Sequence, residues 1–151
     1  MHKILVPMEN FSTLSLSAAY FAIEFAKRNP TKILFLIFSP APEGDETAPT
    51  KKVEPWPKPF DILVQQARGE KVNLELFSSN EAYLETVGHF TREHNISEII
   101  IAVPPVPDPQ YQKLIHRIES LRNSVESQIV IVRPKEDRSM ATERKIKKEG
   151  I

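Results

Sequence analysis

The chain has no cysteine, which excludes disulfides, thiolate metal sites and a cysteine nucleophile. It has only four glycines, at 44, 69, 88 and 150, each standing alone. Phosphate-cradling loops need glycine because backbone N–H groups must approach the anion without a Cβ in the way. Neither GxGxxG nor GxxxxGK[ST] occurs, so the common nucleotide-enzyme loops are excluded. Long apolar runs are missing too. None exceeds six residues, the length of Ile33 to Phe38, whereas a membrane span needs about 20; no membrane insertion is expected. Charge of one sign is also lacking. Lys+Arg and Asp+Glu are both 20, so a charge-driven affinity for nucleic acid is not expected. The opening MHKILVP is too short an apolar stretch for a signal peptide, and the cytoplasm is the expected location.

What is abundant is proline, thirteen residues of 151. Six of these fall within 39–59, beside the charged run Glu43 to Glu46, and mark a long irregular connection whose amides should exchange among the fastest in the domain. Trp56 sits in it between two prolines. It either pins the connection to the domain surface or anchors a partner. Four more prolines stiffen the segment 104–109.

Between these connections the apolar pattern alternates between two periods. Lys3–Met8 and Lys32–Phe38 read as buried strands, and Ser97–Val103 as the most buried of all. Lys71–Phe77, with Val72, Leu74 and Leu76 alternating, reads as a half-covered strand near an edge, and Gln128–Arg133 as the last strand. Helical spacing places Leu14, Ala18, Phe21, Ala22 and Phe25 on one face of a first helix, capped within Ser12–Ser15 and stopped by Asn29-Pro30. A short helix follows through Phe60, Leu63, Val64 and Ala67. A third, with Leu84, Val87 and Thr91, is entered through a Ser78-Ser79-Asn80-Glu81 capping box. A fourth runs from Gln110 to Glu126 with an apolar stripe from Tyr111 to Val125.

Strands alternating with helices predict an α/β fold: an open parallel five-stranded sheet, Rossmann-like, with helices on both faces. Residues 1–134 form this domain and 135–151 a polar, weakly basic tail, read either as a solvated end or as a partner-binding arm. In such sheets ligands bind at the carboxyl ends of the strands, at the switch point. Here that is the pair of loops after Met8 and after Val103, which places Pro7, Glu9, Asn10, Val103 and Pro104 at any ligand site.

The pieces Ile4-Leu5-Val6-Pro7, Asn10-Phe11-Ser12 with Ser15 and Ala18, Arg92 to Ile101, and Ile129 to Pro134 stand in an order and spacing that resembles the universal stress proteins. The resemblance covers about residues 2–134 and implies the strand order 3-2-1-4-5. ATP-binding members of that family carry G-x2-G-x9-G-[ST] after the fourth strand. This chain has no glycine between Gly88 and Gly150, and prolines stand where that motif begins. Counting back from the last strand, the Gly-Ser pair falls near Ile115-His116, so His116 joins the candidate ligand residues. The family's acidic residue after the first strand meets either Glu9 or Asn10.

Other chemistry finds little support. His89 and His94 are five apart, off the spacing that places two metal ligands on one helix face, and no metal is expected. Ser12, Thr13, Ser15 and Ser17 have no visible His–Asp partnership and read as caps. The expected function is non-catalytic and without cofactor: a universal-stress-type domain that acts through contact with an unidentified protein, as a homodimer, without binding ATP. The resemblance implies that the dimer pairs the closing strand, Gln128, Ile129, Val130, Ile131, Val132 and Arg133, with its own copy. The alternatives are a sensor of a nucleotide or other small ligand at the switch point, and a soluble regulator of a transporter.

Overall fold

The computed structural model describes residues 2–38 and 56–134. Most of the proline-rich 39–59 connection and the whole 135–151 tail lie outside them, and so do the expectations placed there. The described chain runs β1 (Lys3–Met8), α1 (Thr13–Arg28), β2 (Lys32–Phe38), α2 (Lys58–Gly69), β3 (Asn73–Ser79), α3 (Tyr83–His94), β4 (Glu98–Ala102), α4 (Gln110–Arg122) and β5 (Gln128–Val132). All strand pairs are parallel, in the order β3-β2-β1-β4-β5. This is the sheet order expected from the resemblance.

Strict alternation along each strand splits the core into two layers. Ile4, Val6 and Met8 of β1, with Ile33, Phe35 and Ile37 of β2, pack under α1 and α2. Leu5, Leu34 and Leu36 point the other way, toward α3 and α4. Every central strand is therefore apolar on both faces, as a sheet covered on both sides requires. Phe60 is fully buried and meets Phe35 edge-on at 5.5 Å between ring centroids. Trp56 packs against this layer, at 6.0 Å from Phe60 and 6.1 Å from Phe11, and so ties the end of the long connection to the domain. At the far end of α1, Lys27 bonds both Glu24 and Glu70 at 2.8 Å. Those two hydrogen bonds hold its ammonium above the ordinary lysine range.

Several local expectations are corrected. No capping box opens α3. Ser78 and Ser79 are taken into β3, paired with Ile37 and Phe38, and the helix starts later with no side-chain cap. Ser79 instead accepts the Glu81 amide at 3.1 Å. β3 itself begins at Asn73 rather than Lys71, because Lys71 takes a left-handed conformation (φ 64°) and the Val72 amide returns to the Ala67 carbonyl. Ladder pairing with β2, not propensity, sets where β3 runs. α4 stops at Arg122, where Asn123, Ser124 and Val125 turn back onto the last carbonyls of the helix. Val125 still reaches the core, but from the turn. Phe21 is 40% exposed rather than core-facing. Arg133 lies just past the end of β5 and is exposed.

Candidate functional site

β1 and β4 are neighbours in the sheet, yet α1 and α4 leave it on opposite faces. Their carboxyl ends therefore part, and a cleft of about 290 Å³ opens between them. Its floor is apolar: Leu14, Ala18, Ile101, Ala102 and Ile118.

The β1 wall is built from side-chain hydrogen bonds. Ser12 is the N-cap of α1, and its Oγ accepts the Ser15 amide at 3.2 Å. The Asn10 Oδ1 accepts both the Ser12 amide at 3.0 Å and the Ser15 hydroxyl at 2.9 Å. One asparagine oxygen thus fixes the turn, and Asn10, Ser12 and Ser15 all line the cleft.

The β4 wall is different in kind. Val103 is fully buried and donates its amide to the Val132 carbonyl at 3.0 Å. Pro104 is buried beside it. Asp108 then accepts the Gln110 amide through Oδ1 at 2.7 Å, so the amino end of α4 already holds a carboxylate. Prolines at 104, 105, 107 and 109 contribute no N–H.

Across the cleft lies one ion pair. Arg117 of α4 reaches over to bond Glu9, after β1, through Nη1 and Oε1. The guanidinium also sits 4.3 Å from the centre of the Tyr83 ring, at the start of α3. Burial holds the Tyr83 phenol above its ordinary range, against the opposing pull of the Arg117 charge. Three separate segments thus converge on a single cation.

Solved universal stress proteins share this architecture. One from Burkholderia pseudomallei is 16% identical, with a TM-score of 0.61 over 86% of this chain and 94% of that one. One from Archaeoglobus fulgidus, in complex with dAMP, is 13% identical, with a TM-score of 0.59 over 87% of this chain and 98% of that one. One from Arabidopsis thaliana, with AMP bound, is 11% identical, with a TM-score of 0.60 over 91% of this chain and 94% of that one. The chain has the universal stress protein fold. At these identities the likeness is one of fold; no family model matches the sequence, and no curated protein sequence matches it.

Within the universal stress fold, Pro7, Glu9 and Asn10 line the switch-point cleft. Val103 and Pro104 lie behind it in the core rather than on its surface. His116 is exposed and points away; its neighbour Arg117 is the residue that enters the cleft. One position along a helix is a rotation of about 100°, so a count uncertain by one residue selects a different face. Sequence reasoning also passed over Tyr83 and Gln110. The only available signal for Arg117 was a long cation three residues after Leu114 on the edge of the α4 stripe. At the far edge of the sheet, β5 pairs with β4 alone among the described residues, and Ile129 to Val132 are half-buried. No described helix is long and apolar enough to cross a membrane.

Proposed function

We propose that the protein is a non-catalytic universal-stress-type domain that works in the cytoplasm through protein contacts, as a homodimer, without ATP. The observation that carries this reading is the β4 wall. Where a nucleotide's phosphates would need N–H donors, the chain offers prolines, and the Gln110 amide at the start of α4 is already taken by the Asp108 carboxylate. Among the described residues no lysine lines the cleft, and its one cation, Arg117, is paired with Glu9.

Calorimetric titration with ATP and Mg2+ is expected to show no saturable heat. A dissociation constant in the low micromolar range overturns the reading. The homodimer rests on β5, whose apolar residues end the sheet with one edge unpaired among the described residues. Antiparallel pairing of two copies about a two-fold axis brings some residue close to its own mate. Since the chain has no cysteine, single cysteines placed in turn from Gln128 to Arg133 give a clean readout. At least one should form a crosslinked dimer under mild oxidation. A monomer at tens of micromolar, with no crosslink at any position, removes the dimer.

A second reading is a sensor of a small ligand in the cleft. It is favoured by the open volume of about 290 Å³ and by the polar groups of Asn10, Ser12, Ser15 and Gln110 that line it. Proteins of the same fold solved with dAMP and AMP support the same reading.

A further inference from the structure

We propose that the chain has a second self-association surface, at the edge of the sheet opposite β5. There β3 of one copy pairs antiparallel with β3 of another, and the two α2 helices pack beside each other across the two-fold axis. This goes beyond the β5 dimer and does not depend on it.

The edge is open and regular. All seven residues of β3, Asn73–Ser79, are in register with β2. β3 ends the sheet order, and among the described residues nothing pairs with its other side. The strand carries no proline and no lysine, two residues that commonly blunt an edge. A groove of about 570 Å³ runs along it, between Leu74 to Phe77 of β3 and one flank of α2.

α2 stands where its copy can meet it. Phe60 meets Phe35 of β2 edge-on, and Val64 lines the groove with Leu74 and Leu76 of β3, so the helix lies over both strands. Neighbouring strands are about 4.8 Å apart. A two-fold axis normal to the sheet, midway between two paired β3 strands, therefore sets the two α2 helices about 10 Å apart on the same face. That is an ordinary spacing for packed helices. α1 does not intervene, because it lies on the other flank of α2, where Lys27 bonds Glu70.

Charge selects a second copy over an unrelated partner. Asp61, Gln65 and Arg68 are four and three residues apart, on the flank of α2 that lines the groove. Gln65 leans on Asp61, with Nε2 3.5 Å from Oδ1. Among the described residues neither Asp61 nor Arg68 is in an ion pair. A two-fold axis reverses the helix direction. Asp61 of one copy then meets Arg68 of the other at both ends of the contact, with Gln65 close to its own mate. A flank acidic at one end and basic at the other is its own complement under such an axis. Beneath these charges Trp56, Val64 and Leu76 supply an apolar centre.

The test uses the full chain, which has no cysteine of its own. Helices about 10 Å apart bring facing Cα atoms to about 5–6 Å, within reach of a disulfide. Gln65→Cys should crosslink under mild oxidation at tens of micromolar. Gln66→Cys, exposed but turned about 100° around the helix, should not. In the Gln65→Cys background, Asp61→Arg or Arg68→Asp alone should slow crosslinking at least about tenfold, through like charges at both ends. The two reversals combined in one chain should restore it, and so should mixing the two singly reversed chains. Restoration also shows that the reversals leave the fold intact. No crosslink at Gln65→Cys overturns the proposal, whether the groove is held by a different protein, by another stretch of this chain or by nothing. Equal crosslinking at Gln66→Cys, or indifference to charge reversal, overturns it too. The cysteines from Gln128 to Arg133 report on β5 separately. Crosslinks there with none at Gln65→Cys keep the β5 dimer and remove this contact, and the converse removes the β5 dimer alone. Where both form, light scattering should show mass rising beyond a dimer with concentration, since two unlike two-fold contacts on one chain need not close.

Discussion

The turn from β1 into α1 and the connection from β4 into α4 occupy equivalent positions in the fold, one on each side of the same cleft, and they end their strands by opposite means. The first is short and held by side chains: Asn10 accepts from Ser12 and Ser15, and Ser12 caps the helix. The second is held by ring closure and burial, with Pro104 buried and Asp108 accepting the Gln110 amide where the next helix starts. The difference matters because caps and prolines leave different groups facing the ligand. A hydroxyl-and-amide cap presents neutral donors and acceptors. A proline run presents no donors, and an aspartate cap presents a charge. One cleft thus stands between a turn built on hydroxyl and amide side chains and a connection built on buried backbone and prolines.

The largest effects should come from the core beneath both walls. Ile100 is buried on the α1 side of β4 and Ile99 on the α4 side. Alanine at either should cost about 2–5 kcal/mol by chemical denaturation, through lost burial and the cavity left behind. Similar losses mean the walls share one core. A loss at only one of them breaks the comparison.

The caps come next. Ser12→Ala and Asp108→Ala should each cost about 1 kcal/mol in urea unfolding. Only Asp108→Ala should also make the cleft more tolerant of anions, read as a gain in AMP affinity. If Ser12→Ala changes AMP affinity as much, the walls do not differ in the way described.

A smaller effect is expected from Arg117→Ala. The ion pair with Glu9 is part-exposed, at 27% and 40% side-chain exposure. Screening by solvent and loss of the stack on Tyr83 together predict no more than about 1 kcal/mol. A larger loss would show that the guanidinium holds the walls together rather than merely spanning them.

The smallest signal is one of pH. Burial raises the Tyr83 phenol above its unfolded value of about 10. Between those two values the folded chain holds a proton that the unfolded chain releases. The contribution is therefore complete below about pH 10 and is lost as pH rises beyond it. Urea midpoints should fall above pH 10, and Tyr83→Phe should make that fall shallower. An unchanged slope in the variant assigns the fall to other groups.

The strands and their parallel arrangement were legible from apolar periodicity and alternation, because burying both faces of β1, β2 and β4 demands short unbroken apolar runs; their order came with the resemblance. That neither glycine-rich phosphate motif occurs was legible directly, since the four glycines stand singly. Ser12 was readable as a cap because capping is local. The ends of β3 and α4 were not, since Ser78 and Ser79 could cap a helix or join a ladder, and only β2 lying alongside decided for the ladder. The cleft's own chemistry was the least legible. Glu9 and Arg117 are 108 residues apart in sequence, and nothing in the spacing of either announces the other. Their pairing over Tyr83 exists because two helices leave opposite faces of one sheet and a third starts beside them. Local sequence sets periodicity, caps and backbone freedom; which long side chains meet across a cleft depends on helix rotations of about 100° per residue, and those are settled only when the core packs.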